Sequence, residues 1–304
     1  MINKYTYKDL EWLDLESPTQ EEVREVMERY DLNISTVEEL LLPSLKPKAE
    51  LYKNFIYLVL HFPALKHTHG KRMNQEVDFI IGKNFLITTR YDTIDPIHKF
   101  SKVFEVNAVL EKEDLGVHAG FLFYYIIRKL YRSLAHELDF IHDSLEEVQD
   151  NIFKGQEKAM VYELSTISRN LTSFIQATSG HREVLKSFEN ASHTFFGQEF
   201  GFYASAISDE YYKVSSTVEN DRVLLHEVRE TNNSLLTTKQ NEVIKALTII
   251  SLIVFPLTLF ATIFAMATEY KPIVGMRFDF WIIIGIMAVF TVCMLAMFRY
   301  KKWL

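Results

Sequence analysis

The chain has almost no cysteine, and this excludes two common kinds of site. Its only cysteine is Cys293, so one subunit can form neither a disulfide nor a cysteine-based metal site. The sequence also lacks a glycine-rich phosphate loop, a nucleophile paired with a base and a pair of catalytic carboxylates. We therefore expect a protein that is not an enzyme, has no catalytic residues and carries no cofactor.

Basic residues are fewer than acidic ones. The chain has 33 lysines and arginines and 40 aspartates and glutamates, so its formal net charge is -7. This balance disfavours nucleic acid as a partner and favours the attraction of cations. Many acids fall on one predicted helix, and they are Glu137, Asp139, Asp143, Glu146, Glu147 and Asp150. They indicate either a solvated helix face or a surface that attracts metal ions.

Glycine and proline are both missing between Phe202 and Phe255, a length unusual for a globular helix and typical of a stalk. Two runs without a formal charge lie at 246–267 and at 280–298. Each has about the length that a helix needs to cross the roughly 30 Å hydrocarbon core of a bilayer. The two runs predict a protein that crosses the lipid bilayer twice.

The positions of the basic residues predict the orientation of these spans. Lysines and arginines are more frequent before the first run and after the second than in the loop between them. The positive-inside rule therefore places both termini in the cytoplasm and the loop outside. We expect a multi-pass protein of the inner or plasma membrane.

The part before the stalk combines strands and helices. Runs rich in β-branched and aromatic residues predict strands at 10–15, 55–62, 76–81 and 85–89. Ser17, with Pro18 behind it, is the predicted N-cap of a helix that ends near Tyr30. Apolar positions three and four residues apart predict an antiparallel pair of helices over 121–153 and 159–188.

These patterns divide the chain into seven predicted parts. They are a cytoplasmic α/β domain at 1–115, a cytoplasmic helical hairpin at 116–200, the stalk helix at 201–245, a first transmembrane or pore helix at 246–267, an extracytoplasmic loop at 268–279, a second transmembrane helix at 280–298 and a basic cytoplasmic tail at 299–304. The stalk joins the cytoplasmic domain directly to the membrane, so a tilt or rotation of the domain must move the first span.

Polar side chains recur on one face of the stalk and pore helix. The face alternates by three and four residues and comprises Asn241, Ile244, Thr248, Ser251, Phe255, Thr258, Thr262 and Ala265. A spacing of about 3.5 residues keeps one face toward an axis shared by parallel helices, so the face can line a water-filled pore in a homo-oligomer. The alternative is that the hydroxyls bond to the backbone or pack against neighbouring helices. In a pore, Ile244, Leu247 and Phe255 form apolar constrictions that gate by dewetting.

The same residues resemble the CorA family of magnesium channels and transporters, including its zinc-transporting ZntB branch. The resemblance rests on Asn241-Glu242-Val243-Ile244-Lys245, on the LTIIS and FPLT segments that follow, on Glu269-Tyr270 with Pro272, and on Lys301-Lys302-Trp303-Leu304. A weaker likeness extends to Lys46-Pro47-Lys48-Ala49-Glu50 and to the GKNFLITTR hairpin. It implies a funnel-shaped homopentamer with an α/β cytoplasmic domain, a central pore helix and an outer second helix.

The sequence departs from this family at the outer mouth of the pore. The family ends its first span with Gly-Met-Asn, whose asparagines form a ring around the hydrated cation, whereas Ala265, Met266 and Ala267 stand here. Alanine side chains offer no hydrogen-bond acceptor, so only backbone oxygens can replace the asparagine ring. Glu269 is retained in the loop, while Lys271 and Arg277 add positive charge.

The resemblance also implies regulation by cytoplasmic magnesium, which carboxylates at subunit interfaces bind near the start of the stalk. One such position falls on Ala206, and Asp209 with Glu210 lies one turn further on. We expect either an inter-subunit metal site at Asp209 and Glu210 or ordinary solvated acids.

Three functions are compatible with this sequence. The first is a homopentameric divalent-cation channel that carries magnesium, and also cobalt or nickel, inward along the membrane potential. In it Asn241, Thr258 and Thr262 contact the hydrated ion. The second is transport of zinc or another divalent ion of the ZntB type, with or without proton coupling. The third is a membrane scaffold or sensor that has lost transport.

Overall fold

The structure of the chain is a computed structural model. It describes residues 1–44, 46–63, 74–91, 94–110, 117–266 and 278–301, together with Ile273. The chain forms two compact units, Met1–Arg229 and Glu230–Leu304. The predicted fold class is confirmed, because an α/β domain precedes a long helix and two apolar C-terminal segments.

One six-stranded sheet is the centre of the first unit. Its strands are β1 (Ile2–Tyr7), β2 (Leu10–Glu16), β3 (Lys48–Leu51), β4 (Ile56–Pro63), β5 (Asn74–Ile81) and β6 (Phe85–Arg90). Their order is β1-β2-β6-β5-β4-β3, and only β2 and β6 pair in parallel. The four predicted strands are confirmed as β2, β4, β5 and β6. The strands at the two edges, β1 and β3, bury few side chains, so they lack the apolar signal of the others.

The first helix corrects one prediction. α1 (Gln20–Tyr30) takes Thr19 as its N-cap and not Ser17. The Thr19 hydroxyl accepts a hydrogen bond from the Glu22 N–H at 3.3 Å, and the Glu22 carboxylate accepts one from the Thr19 N–H at 2.9 Å. This reciprocal capping box satisfies two backbone donors at once, whereas the Ser17 hydroxyl donates to the Tyr91 carbonyl. α1 and α2 (Ile34–Glu39) cover one face of the sheet.

Longer helices cover the opposite face. They are α3 (Asp95–Leu110), α4 (Ala119–Phe153), α5 (Glu157–Thr178) and α6 (His181–Phe196). The Phe79 ring of β5 packs edge-on against Phe123 of α4, with 5.1 Å between ring centroids. The single helix predicted over 159–188 is wrong, because the chain turns at Ser179 and Gly180. A Cβ on Gly180 would lie 2.5 Å from the Pro47 ring, so the close approach of Pro47 favours glycine at this turn.

α7 (Gly201–Ala265) is an unbroken helix of 65 residues that contains Pro256 and belongs to both units. Within the first unit, one face of α7 is buried, at Ala204, Ile207, Tyr211, Val214, Val218, Leu225 and Val228. Two polar contacts join it to α4. Arg128 Nη2 lies 3.2 Å from Glu210 Oε1, and His142 Nδ1 lies 2.9 Å from Asp221 Oδ1.

The second unit consists of the end of α7 and of α8 (Asp279–Tyr300). Both helices contain a segment long and apolar enough to cross a membrane. Their large side chains are largely exposed, and Phe298 is the one buried hydrophobic residue in the described part of these segments.

Candidate functional site

The polar face of α7 is open within the chain. Asn241, Thr248, Thr258 and Thr262 are exposed, and Ser251 is half-buried. The apolar positions on the same side are also exposed, with 51% exposure for Ile244, 59% for Leu247 and 72% for Phe255. No residue in the described part of the chain therefore fills the space in front of this face.

A different face of α7 is partly covered. Its half-buried residues are spaced three or four apart, as are those of α8. They are Ile249, Ile253, Pro256, Leu257, Phe260 and Phe264 on α7, and Ile283, Met287, Thr291 and Met294 with the buried Phe298 on α8. At about 100° per residue, the covered face of α7 points roughly opposite to the polar face. The second unit thus shields one side of α7 and leaves the polar side free.

The four hydroxyls of the polar face donate their protons to the backbone of α7. Thr248 bonds to the Ile244 carbonyl at 2.8 Å, Ser251 to Leu247 at 2.9 Å, Thr258 to Val254 at 2.9 Å and Thr262 to Leu259 at 2.8 Å. The predicted alternative of backbone bonding is therefore seen in the structure. It does not remove the polar character, because a hydroxyl that donates its proton keeps oxygen lone pairs that accept hydrogen bonds. The face presents acceptors to the space before it.

The C-terminal end of α7, from Ile263 to Met266, carries no polar side chain. Ala265 is the last helical residue, and the exposed Met266 follows, with its N–H donating to the Ile263 carbonyl at 3.3 Å. Ala267 and Glu269, the other residues of the predicted selectivity mouth, lie outside the described residues. At Ala265 and Met266, backbone oxygens are the hydrogen-bond acceptors that remain.

The two predicted regulatory acids have different surroundings. Asp209 is exposed and makes no hydrogen bond or ion pair with the described part of the chain. The side chain of Glu210 is only 15% exposed and lies between Arg128 and Lys213, at 3.2 and 3.6 Å. Among the described residues, no group of three or more His, Cys, Asp or Glu could hold a metal ion. A metal site at Asp209 therefore needs ligands from another copy of the chain.

One ionisable pair between α4 and α7, His142 with Asp221, was not predicted from the sequence. Asp221 is buried, and burial raises its pKa although the hydrogen bond from His142 opposes this shift. The same hydrogen bond raises the pKa of His142. The pair joins α4 to α7 within the acid-rich part of α4. Nothing local in the sequence marks it, because 79 residues separate the partners.

Comparisons with known proteins agree on one family. A profile of the family described as CorA-like Mg2+ transporter protein matches residues 7–302. The cobalt/magnesium transport protein CorA of Thermotoga maritima is 26% identical over 285 residues, which is 93% of this chain and 80% of that protein.

Solved structures show the same fold. The complete structure of the CorA magnesium transporter from Methanocaldococcus jannaschii superposes with a TM-score of 0.84 at 20% identity, covering 97% of this chain and 92% of that one. The ZntB cytoplasmic domain from Vibrio parahaemolyticus gives a TM-score of 0.55 at 16% identity, covering 76% of this chain and 88% of that domain.

Proposed function

Because this chain belongs to the CorA-like Mg2+ transporter family, we propose that it forms a homopentameric pore for hydrated magnesium in a cell membrane. Cobalt and nickel are the further cargo that we expect. Five copies of α7 surround the pore, α8 lies outside them, and both termini are cytoplasmic. The family is one of transporters and not of enzymes, and the proposal requires no cofactor.

The observation that carries this proposal is the row of acceptors on the open face of α7. Magnesium loses its water reluctantly, so the particle that enters a pore presents water protons to the wall. A wall that binds it must therefore offer acceptors. The hydroxyls of Thr248, Ser251, Thr258 and Thr262 have their protons engaged in the helix and offer lone pairs. The Asn241 side chain adds an amide oxygen at the cytoplasmic end.

The apolar residues on the same face give the pore its gate. Ile244, Leu247 and Phe255 are more than half exposed within the chain, and a ring of five such side chains would narrow the pore to a dry constriction. A small movement of α7 would then wet or dry the path. Because α7 is one helix from Gly201, a movement in the first unit reaches this gate directly.

The mouth of the pore would select ions through the backbone. Ala265, Met266 and Ala267 contribute carbonyl oxygens in place of the asparagine ring, and Glu269 attracts cations near the entrance. The membrane potential supplies about 4.6 kcal/mol per 100 mV for a doubly charged ion. The proposed transport therefore needs neither ATP nor a second protein.

Zinc is the competing cargo, and two observations keep it as an alternative. The family tripeptide is replaced at Ala265 to Ala267, and the fold resembles the cytoplasmic domain of a ZntB protein. In this alternative the pore and its acceptor row are the same, and only the ion or its coupling to protons differs.

Uptake by liposomes containing the purified full chain tests the proposal. Magnesium, cobalt, nickel and zinc are offered in turn, first with an imposed potential and then with a pH gradient. We expect magnesium uptake that follows the potential and falls about tenfold in Thr258→Val, which loses an acceptor to a charged particle.

Thr291→Val is the matched control. Thr291 also donates to its own helix, at 2.8 Å to the Met287 carbonyl, but it lies on the covered face of α8. Magnesium uptake by the Thr291→Val chain should equal that of the unchanged chain. Zinc uptake that follows the pH gradient would identify zinc as the cargo in place of magnesium. Absence of uptake for every ion would contradict a transport function.

A further inference from the structure

A basic groove lies between α5 and α7 in the first unit. Its volume is about 430 Å³. Three basic residues, Arg222, His226 and Arg229, and one acid, Glu219, line it from α7, while Ser168 and Thr172 line it from α5, over an apolar floor. The three basic positions lie four and three residues apart, so they occupy one side of the helix.

The groove has an excess of positive groups in a chain whose net charge is -7. Only Arg222 has an acidic neighbour there, with its Nη1 3.5 Å from Glu219, and both side chains are about two-thirds exposed. Arg229 and His226 make no hydrogen bond or ion pair within the described chain. The groove therefore fits a partner that brings several negative charges.

The chain itself carries a surface of that kind on α4, which we call the acidic stripe. It comprises Asp139, Asp143, Glu146 and Asp150, which are all exposed and lie four, three and four residues apart. No residue of α4 lines the groove. The stripe therefore does not lie in the groove of its own copy.

The stripe and the groove lie at the same height along α7. The two contacts between α4 and α7, Arg128 to Glu210 and His142 to Asp221, show that the helices run in the same direction. His142 lies within the stripe, and Asp221 directly precedes Arg222 of the groove. A rotation about an axis parallel to α7 keeps this height, so a neighbouring copy in a ring presents its stripe at the level of the groove.

We propose that the acidic stripe of α4 in one copy docks into the basic groove between α5 and α7 of the next copy. The proposal rests on the ring proposed above and names a contact that closes it. The stripe of each copy contacts the neighbour on one side, and its groove contacts the neighbour on the other side. This is the head-to-tail contact that a closed ring requires. Repeated around the ring, the contact ties the first units together at the level of the stalk.

Charge reversal in the full chain tests this contact. Arg222→Glu with Arg229→Glu places like charges opposite the stripe, and we expect association to weaken at least tenfold. Native mass spectrometry and light scattering in detergent measure the ring against protein concentration. Adding Asp143→Arg and Asp150→Arg to the same chain should restore the ring. Arg182→Glu with Lys186→Glu, on the exposed side of α6, is the control with the same change in charge.

A cross-link gives a second measurement that does not depend on ring stability. In a Cys293→Ser background, chains with Asp150→Cys are co-expressed with chains that carry Arg229→Cys. A short bismaleimide should link the two kinds of chain only when both cysteines are present.

The outcomes separate this contact from the pore. Two results would overturn the docking proposal and leave the transport proposal standing. The first is a ring that persists in the Arg222→Glu, Arg229→Glu chain. The second is a ring that the added Asp143→Arg and Asp150→Arg changes do not restore, together with no cross-link between Asp150→Cys and Arg229→Cys chains. If the unchanged chain forms no ring at all but remains monomeric, the proposed pore fails first, and the docking proposal fails with it.

Discussion

The two units differ in where their apolar side chains find cover. In the first unit, Trp12, Leu15, Tyr57 and Ile87 are fully buried within the chain. In the second, Leu259, Ile263 and Trp281 are more than half exposed, although this unit is the more apolar one. The first unit therefore stabilises itself, while the second depends on lipid and on further copies for cover.

The polar groups of the two units also differ in how far the chain covers them. The first unit buries an ion pair completely, whereas the hydroxyls of α7 satisfy their own protons and turn their lone pairs outward. These outward-facing acceptors in an apolar unit are the observation on which the proposed path for ions rests. The predictions below test this contrast, from the largest expected effect to the smallest.

Breaking the buried ion pair of the first unit should have the largest effect. Arg90 Nη2 lies 3.0 Å from Asp14 Oδ2, and both side chains are almost fully buried. Arg90→Met leaves the Asp14 carboxylate without its counter-charge, and we expect a loss of about 3–5 kcal/mol in the free energy of unfolding. Chemical denaturation of the full chain in detergent, followed by Trp12 fluorescence in a Trp281→Phe, Trp303→Phe background, measures it.

The exposed pair Arg24–Glu28 is the control for this experiment. Its atoms are 3.6 Å apart, and its side chains are 81% and 71% exposed. Arg24→Met should change stability by less than about 0.5 kcal/mol. Equal losses in the two variants would contradict the claim that burial determines the cost.

Truncating a leucine to alanine should lower the free energy of unfolding several-fold more in the first unit than in the second. Leu15→Ala leaves a cavity in a fully buried position, and we expect it to cost about 3 kcal/mol in the Trp12-reported unfolding. Leu259→Ala removes the same atoms from a side chain that is 63% exposed on α7, so the cost should stay below about 0.5 kcal/mol. A large destabilisation by Leu259→Ala would show that the second unit has an internal core after all.

The smallest effect concerns the polar contact between α4 and α7. The pKa of His142 is raised in the folded chain by its hydrogen bond to Asp221, so its stabilising contribution is complete below its ordinary pKa and is lost as pH rises through the raised value. The pKa of Asp221 is also raised, chiefly by burial, which gives the same direction. Because nearly half of the His142 side chain is exposed, solvent limits the contribution to less than about 1 kcal/mol.

Comparison with His142→Gln isolates this contribution. The stability advantage of the unchanged chain over the variant should be largest near pH 6 and should shrink toward pH 8.5. A difference that stays constant across this range would assign the contact a role other than proton binding.

The sequence was most informative where the signal is local. Runs of β-branched and aromatic residues over 76–81 and 85–89 were enough to predict β5 and β6, and the absence of glycine and proline was enough to predict a long α7. The helix break at Ser179 and Gly180 was missed, because a single glycine inside an apolar helical pattern does not by itself end a helix. The close approach of Pro47, which favours glycine there, comes from a distant part of the chain. The choice of Thr19 over Ser17 as N-cap depended on Glu22, and both serine and threonine are good caps.

The candidate site shows the same limit. A spacing of three and four residues placed Asn241, Thr258 and Thr262 on one face, but it could not show whether that face was covered. The position of the covered face depends on α8, which packs from a distant part of the chain. The pairing of Glu210 with Arg128 is likewise a contact between residues 82 apart, and no local pattern predicts it.

Water access to the two faces of α7 tests the central claim most directly. In a Cys293→Ser background, cysteines at Ser251, Thr258 and Thr262 are compared with cysteines at Ile253 and Phe260, which lie on the covered face, in liposomes under magnesium-free conditions. A charged, water-soluble thiol reagent should label the first three and block uptake, and it should leave the last two unlabelled. Labelling of Ile253→Cys and Phe260→Cys with protection of Thr258→Cys would contradict a pore along the polar face of α7.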